Sequence, residues 1–241
     1  MLSRARGGKL WRRPAVAVPV EIDDHIGDSV STSLPTPGAQ KGLLSAYMRV
    51  LDKRPLPTKI VTSGVICAIG DVMAQALSYV NAAIGPVTLG GFLRALEFQR
   101  LVIYGLLGAV WVAPVIHYWF DILENLTKGT KAPSNTFSGK MGKALKMVVI
   151  DQSIGAPFVN SGFMFLFALA TALANGMVAT SAVRKASSLV RDGIWGTMLV
   201  CWKLWPIANL INFAFVPPKL RVLFLNFVGL GWNMYLSAAV N

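Results

Sequence analysis

Beyond residue 42 the chain alternates long apolar stretches with short polar and basic segments. A helix needs roughly 20 apolar residues to cross a hydrocarbon core about 30 Å thick. Five stretches approach that length, at about 58–80, 98–120, 147–174, 194–216 and 219–240. Membrane-spanning backbone has to pair its amides within the segment, and no alternating strand pattern is present. The pattern therefore predicts an all-α polytopic membrane helical bundle, with four firm spans and one further candidate span.

Two of these segments leave alternatives open. The third is long enough to hold an interfacial turn ahead of its span. The fifth follows "VPPK" and carries Asn226 and Asn233. It therefore fits either a short span or a helix that lies in the membrane plane.

The composition excludes a water-soluble domain. Of the 241 residues, 54% are hydrophobic and 14% are charged, whereas soluble domains carry about 25% charged residues. The net charge of +12 would suit nucleic acid, but the basic residues lie in short segments between apolar runs, without a recognition-helix or zinc-ligand pattern. We therefore expect membrane lipids, anionic ones included, as partners and no nucleic acid. Cys67 and Cys201 lie inside apolar runs, where small buried residues are common.

Residues 1–42 differ in composition from the membrane domain predicted at 43–241. "MLSRARGGKLWRRP" holds five basic residues, and no acid precedes Glu21, which is typical of a mitochondrial or plastid transit peptide. A basic tail that lies on anionic headgroups is the alternative. From Glu21 to Gly42 the chain turns acidic and then rich in Ser, Thr, Pro and Gly, which is typical of a linker.

The distribution of lysine and arginine predicts the orientation in the membrane. With five spans, the amino-terminal side collects Arg49, Lys53, Arg54, Lys59, Lys128, Lys131, Lys140, Lys143, Lys146, Lys219 and Arg221. The opposite side collects Arg94, Arg100, Arg184, Lys185 and Arg191. Because basic residues near span ends are retained on the side of synthesis, the amino-terminal side should face the matrix or its equivalent.

Asp71 interrupts the apolar stretch "GVICAIGDVMAQAL" at 64–77. At 100° per residue it shares one helical face with small or polar residues only, at positions 64, 67, 68, 74, 75 and 78. The bulky residues Val65, Ile69 and Met73 fall on the other face. Small and polar faces turn toward protein or water rather than lipid. Asp71 and Gln75 should therefore point inward, either to contact a neighbouring helix or to line an aqueous path.

Polar residues in the later apolar segments provide candidate partners for Asp71. They are Asp151 and Gln152 in "IDQSIGAP", and Lys203, Asn209 and Asn212 in "CWKLWPIANLINF". A buried lysine requires a counter-ion, and we expect Lys203 to pair with Asp71 or, failing that, with Asp151. The second, third and fourth spans hold Pro114, Pro157 and Pro206. Each proline should kink its helix, which can open a cavity at mid-membrane.

The residues do not support catalysis, a metal site or a cofactor. His25 lies in the linker and His117 near a span end, so that no metal cluster or histidine-assisted nucleophile is expected. Asp121 and Glu124, one turn apart in "FDILE", are interpreted as interfacial charges. His117 and Asp121 are four residues apart, a spacing that allows a hydrogen-bonded pair.

Five short motifs carry a family resemblance. They are "PTKIVTSGVICAIGDVMAQ", "APVIHYWFDILE", "DQSIGAP", "WKLWPIANLINFAFVPPKLR" and "WNMYLS". In this order, from about Leu43 to the carboxyl terminus, they resemble the motifs of the Mpv-seventeen and twenty-two-kilodalton peroxisomal membrane protein family. The chain departs from those motifs at four positions, namely Ala113, Phe120, Glu124 and Asn209, where the family has glycine, tyrosine, aspartate and glutamine.

The resemblance implies a small integral membrane protein of the mitochondrial inner membrane or the peroxisome, without catalytic activity. The family is linked to weakly selective channels for small solutes, so a small-solute pore is the expected function. The basic amino terminus favours mitochondria, with peroxisomal and plastid membranes as alternatives, and the terminal "AVN" is not a peroxisomal address. A non-catalytic accessory subunit of a larger inner-membrane complex is the competing interpretation. Assembly as a homo-oligomer is compatible with both.

Overall fold

The computed structural model describes residues 42–83, 85–128 and 136–240. Residues 1–41, with the predicted transit peptide and most of the linker, lie outside the described residues. The described ranges form helices joined by turns and contain no strand, which confirms the all-α class. The α-helices are α1 (Leu43–Lys53), α2 (Pro55–Ala82), α3 (Leu89–Ala95), α4 (Phe98–Leu107), α5 (Ala113–Leu126), α6 (Phe137–Ile150), α7 (Ala156–Ala174), α8 (Ala179–Phe215) and α9 (Arg221–Val240).

Four helical stretches are long and apolar enough to cross a membrane, and they confirm the four firm spans. They are Pro55–Ala82, Phe98–Leu126, Phe137–Ala174 and Ala179–Phe215. The third and fourth begin well before the predicted starts at about 147 and 194, because their first turns carry lysine or arginine residues, which favour helix without being apolar. With 38 and 37 residues, each is about 55 Å long at 1.5 Å per residue and exceeds the hydrocarbon core.

The fifth apolar segment forms α9, a helix of 20 residues. Asn226 Nδ2 donates a hydrogen bond of 2.7 Å to Ser63 Oγ near the start of α2. Further along both helices, the side chains of Leu230 and Asn233 lie against Gly70. Contacts therefore advance in the same direction on the two helices, so that α9 runs parallel to α2 and beside it. At roughly 30 Å, its length matches a hydrocarbon core.

Two of the three prolines follow a π-helical turn. Gly108–Val112 connects α4 to α5 just ahead of Pro114, and Asp151–Gly155 connects α6 to α7 just ahead of Pro157. Proline cannot donate the backbone hydrogen bond of an α-helix, and a π-turn is a known way to accommodate that loss. Pro206 differs, because α8 stays α-helical through it. Two of the three prolines predicted to kink their helices thus lie next to a change of helix type, whereas Pro206 lies within a continuous α-helix.

The small face of α2 packs closely on the second span, as its pattern predicted. A Cβ added to Gly64 would meet Ala109 Cβ and Gly105 O at 3.1 Å. One turn on, a Cβ added to Gly108 would lie 2.9 Å from Ser63 O. Such spacing lets two helix backbones approach where a larger side chain would separate them. On the other face, Val65 and Ile69 are about half exposed.

An apolar core lies toward the amino-terminal ends of α2 and α9, where α5, α6 and the end of α8 meet. Its buried members are Phe120, Leu123, Ala144, Met147, Val148, Phe213, Val222 and Leu225. The rings of Phe120 and Phe213 pack edge to face, with 5.3 Å between their centroids. We call this set the apolar plug, since it fills the bundle between the polar clusters described below and the amino-terminal side.

Candidate functional site

Asp71 lies inside the bundle, and its side chain is only 1% exposed. Arg100 in the first turn of α4 places Nε 2.9 Å from Asp71 Oδ1. Gln75, one turn further along α2, donates to Asp71 Oδ2 at 2.6 Å. The inward position predicted for Asp71 and Gln75 is therefore confirmed, and the carboxylate serves as a contact between α2 and α4.

Gln75 also connects α2 to the backbone that precedes α4. Its Oε1 accepts a hydrogen bond of 2.8 Å from the Glu97 amide. The first amides of a helix have no partner within the helix, so a side chain that accepts from the amide just before it stabilises that end. The Arg100 guanidinium in turn lies 5.8 Å from the ring centroid of Tyr104, one turn along α4. Arg100 is thus held from two sides at the start of the second span.

The predicted pairing of Asp71 with Lys203 is wrong. Lys203 lies on the exposed face of α8, which it shares with Leu199 and Ile207 one turn to either side. Asp151 is not its partner either, because the three donors to that carboxylate come from other residues. The sequence pattern located the acid correctly. It did not identify the counter-charge, because Arg100 lies at the end of a span, where the sequence analysis used it only to predict the orientation in the membrane.

Asp151 is the second buried carboxylate, 5% exposed, at the first position of the π-turn between α6 and α7. Trp119 Nε1 on α5 donates to Asp151 Oδ1 at 2.8 Å. Gln152 Nε2 donates to Oδ2 at 2.8 Å, and Asn209 Nδ2 on α8 donates to the same oxygen at 2.9 Å. Three helices of the bundle thus converge on one carboxylate, which joins the predicted candidates Asp151, Gln152 and Asn209.

Several buried amide atoms, on the side chains that hold Asp151 and one turn further along α8, have no hydrogen-bond partner within the described residues. They are Gln152 Oε1, Asn209 Oδ1 and both polar atoms of the Asn212 side chain. Asn212 is fully buried and lies three residues after Asn209, on the same face of α8. Unpaired buried amides are rare and costly in folded proteins. Two of these atoms, Gln152 Oε1 and Asn209 Oδ1, belong to side chains that donate to Asp151, so unused hydrogen-bonding capacity remains beside that carboxylate.

His117 does not form the predicted pair with Asp121. Its Nδ1 lies 2.9 Å from the Nζ atom of Lys59, which is buried near the start of α2. An ammonium group can only donate, so Nδ1 is the acceptor and the ring is neutral in this arrangement. The Asp121 side chain is exposed, which agrees with its interpretation as an interfacial charge.

Glu124 holds three helices together at the amino-terminal end of the bundle. It forms a hydrogen-bonded ion pair with Lys143 on α6. Arg221 Nη1, at the start of α9, donates to Glu124 Oε2 at 3.1 Å. Arg221 is itself buried, with its guanidinium 5.5 Å from the ring centroid of Phe213. This ion-pair network covers the apolar plug on its amino-terminal side.

Three cavities follow one another through the bundle. The first, about 600 Å³, lies at the start of α4 and the end of α7, beside Arg100 and Asn175. The second, about 560 Å³, lies between α2, α4, α7, α8 and α9, and both cysteines line it. The third, about 170 Å³, is lined by Asp151, Gln152 and Asn209 among others.

Neighbouring cavities share wall residues. Tyr104 and Phe167 border the first and the second, and their rings meet edge to face with 5.2 Å between centroids. Asn160 and Trp205 are among the residues that border the second and the third. The cavities thus form a row that leads from the end of the bundle where α4 begins to Asp151. Beyond Asp151 the apolar plug fills the bundle.

The sequence analysis missed three residues of these sites, namely Arg100, Trp119 and Asn160. A tryptophan within a span carries a ring N–H that needs an acceptor, and this requirement was the available signal for Trp119. Asn160 lines the third cavity, and its Nδ2 donates to Ala156 O at 2.8 Å. The described part of the chain contains no group of three or more His, Cys, Asp or Glu side chains that could hold a metal ion.

Comparison with known proteins gives consistent similarities. The family model described as Mpv17 / PMP22 family matches residues 176–237. "PXMP2/4 family protein 3" of Dictyostelium discoideum is 31% identical over 79% of this chain and 87% of its own length. "Protein sym-1" of Neurospora crassa is 32% identical over 81% of this chain and 97% of its own. "Mitochondrial inner membrane protein Mpv17" of Xenopus laevis is 29% identical over 83% of this chain and 98% of its own length. No solved structure matches the chain at a significant level.

Proposed function

The chain belongs to the Mpv17 / PMP22 family, and on that premise we propose that it forms a weakly selective pore for small solutes. It is an integral membrane protein of the mitochondrial inner membrane. In that membrane, the helical bundle itself would provide the path for the solutes. The proposal rests on the row of three cavities and on the chemistry of their walls.

The row of cavities is the observation that carries the proposal. A helical bundle that served only as a membrane anchor would be expected to fill its interior to the usual packing density, with few voids larger than a water molecule. Here three cavities of about 600, 560 and 170 Å³, each partly open to the outside of the bundle, share walls and lie end to end. They supply the space for a solute path through a single copy of the chain.

The wall chemistry supports weak selectivity. Arg100 borders the first cavity, but Asp71 already neutralises much of its charge. The second cavity has apolar and aromatic walls with a few neutral polar groups, among them Asn160 and Thr197. A pore wall without a ring of like-charged side chains selects solutes mainly by their size. Small neutral or singly charged solutes are therefore the class that such a path would admit.

The path is closed at one end in this conformation. Beyond Asp151 the apolar plug and the Glu124 ion-pair network fill the bundle on the amino-terminal side. Conduction thus requires the plug to rearrange. On this proposal, the conformation described would correspond to the closed state of the pore, with its cavities open toward the other side.

A blocking substitution tests this proposal. Gly229 lines the second cavity, and a Cβ added there meets no atom within 4 Å. Gly229→Phe should therefore fill the cavity without a backbone clash. The matched control is Gly142→Phe, since Gly142 lies on an exposed face of α6 with equally open surroundings.

The purified chain is reconstituted into liposomes, and release of a size series of small solutes is measured. We expect flux from the unmodified protein and from Gly142→Phe, with most of it lost in Gly229→Phe. Equal flux from both variants would place the path outside the cavities. No flux from the unmodified chain, together with co-migration with a larger complex in mitochondrial extracts, would favour the accessory-subunit function instead.

A further inference from the structure

Every side chain described in contact with Asp151 offers it an N–H donor, an arrangement that suits an ionised carboxylate. A protonated carboxyl group has to donate its O–H to an acceptor. Both oxygens of Asp151 instead receive hydrogen bonds, one from the Trp119 ring and two from the amides of Gln152 and Asn209. All three partners are neutral donors. They disperse the negative charge but do not cancel it.

No basic side chain compensates that charge within the described residues. Asp71 has Arg100 at 2.9 Å, whereas no lysine or arginine nitrogen in the described part of the chain lies within 4.0 Å of Asp151. Among the residues described in the wall of the third cavity, which Asp151 lines, there is no basic residue. An isolated ionised carboxylate in the interior of a membrane bundle is costly, and such groups are usually paired. The described residues therefore provide no counter-charge for an ionised Asp151.

Unpaired oxygens surround the same cavity. Gln152 Oε1 and Asn209 Oδ1 have no hydrogen-bond partner in the described part of the chain, and the two residues are 9% and 4% exposed. Each amide is held by its own NH₂ group on Asp151, so its oxygen stays near the carboxylate. Asn160 adds a further oxygen, whose described contact is the Cys201 thiol at 3.9 Å. Carboxylate and amide oxygens are the ligands that hard cations prefer.

We propose that Asp151, Gln152 and Asn209, with Asn160 in the same cavity wall, bind an alkali cation, Na⁺ or K⁺. One positive charge balances the one negative charge, whereas a divalent ion would leave an uncompensated charge in the bundle. The cavity of about 170 Å³ has room for an ion and a few waters, since one water occupies about 30 Å³ in the liquid. The inference goes beyond the proposed pore and does not depend on conduction. The ion completes the packing of α5, α6, α7 and α8 in either case.

Thermal unfolding of the purified protein in detergent tests the site. NaCl or KCl is replaced by N-methyl-D-glucamine chloride at constant ionic strength, because that cation is too large and too hydroxylated to take the place of an alkali ion. A ligand bound only by the folded state shifts the unfolding equilibrium about 11-fold at ten times its Kd. We expect the melting temperature to rise saturably with Na⁺ or K⁺ and not with N-methyl-D-glucamine.

Three variants make the test specific. Asp151→Asn should lose the cation-dependent rise. Asn209→Leu, which keeps the size of the side chain and removes its oxygen, should need a higher cation concentration for the same rise and provides the readout if Asp151→Asn does not fold. The control Asp192→Asn removes an exposed carboxylate on α8 and should keep the full response.

Four outcomes would overturn the proposal: equal melting temperatures in all three salts, a response that persists in Asp151→Asn, a wild-type titration in Asn209→Leu, or loss of the response in Asp192→Asn. If the melting temperature is indifferent to alkali cations but rises as the pH falls, and Asp151→Asn abolishes that rise, the occupant is a proton and not a metal cation.

Discussion

Arg100 Nε lies 2.9 Å from Asp71 Oδ1, and this contact joins the middle of α2 to the first turn of α4. The two partners differ in exposure, since the Asp71 side chain is 1% exposed and that of Arg100 is 37% exposed. Arg100 can turn toward water if its partner is lost, but Asp71 cannot. Loss of Arg100 therefore leaves a buried charge without a partner, whereas loss of Asp71 does not.

The first prediction follows from that asymmetry. Arg100→Met leaves the buried Asp71 carboxylate uncompensated and should lower the free energy of unfolding by about 3–5 kcal/mol. Asp71→Asn should cost less, because Arg100 regains solvent. The double variant should recover much of the loss of Arg100→Met. A double-mutant cycle by thermal unfolding in detergent measures the coupling, and Lys203→Met serves as the control that should leave stability unchanged.

The second prediction concerns the apolar plug. Leu123 is fully buried in it, whereas the preceding residue, Ile122, is 48% exposed on the outer face of α5. Leu123→Ala should lower the free energy of unfolding by about 2–5 kcal/mol through the lost contacts and the cavity left behind. Ile122→Ala, a substitution of similar size in the same turn, should have little effect. Comparable losses in both variants would mean that the plug is not a tightly packed core.

The third prediction tests the close approach of α2 and the second span. A Cβ added to Gly108 would lie 2.6 Å from Cys67 Sγ and 2.9 Å from Ser63 O, and the latter belongs to the backbone and cannot turn away. Gly108→Ala should therefore destabilise the protein by about 1–3 kcal/mol. Gly142→Ala meets no atom within 4 Å and should be neutral or stabilising, because alanine favours helix. Melting temperatures of the two variants make the comparison.

The fourth prediction concerns import. Deletion of residues 1–20 removes all five basic residues of the first fourteen and should abolish mitochondrial targeting, which fluorescence of a carboxyl-terminal fusion in cells reports. A matched deletion within the linker, residues 22–41, should leave targeting intact. Unchanged localisation after loss of residues 1–20 would assign the basic segment another role.

The fifth prediction concerns orientation. A tag placed after Gly42 should face the matrix and should survive protease added to mitoplasts whose inner membrane is intact. Because α9 runs parallel to α2, a tag after Asn241 should be cleaved under the same conditions. Cleavage of the first tag with protection of the second would reverse the topology.

Periodicity along single helices was the reliable part of the sequence analysis. It placed the spans, and it placed Asp71 and Gln75 on the inner face of α2, because small and polar residues there fall at helical spacing. It did not identify Arg100 or Trp119 as partners. Which side chains meet across helices depends on the packing of the helices and on where each begins. Lys203 was mistaken for a buried charge because hydrophobicity alone does not distinguish the lipid-facing side of a long helix from the inner side.

The two π-turns change the direction in which the side chains that follow them point. A π-turn takes up one residue more than an α-turn, so that every side chain beyond it is rotated by about 100° from its place on an uninterrupted helix. Trp119 lies beyond the turn Gly108–Val112, and Asn160 lies beyond the turn Asp151–Gly155. Removal of one residue from either turn would leave the composition of the span almost unchanged. It would nevertheless turn Trp119 away from Asp151, or Asn160 away from the third cavity.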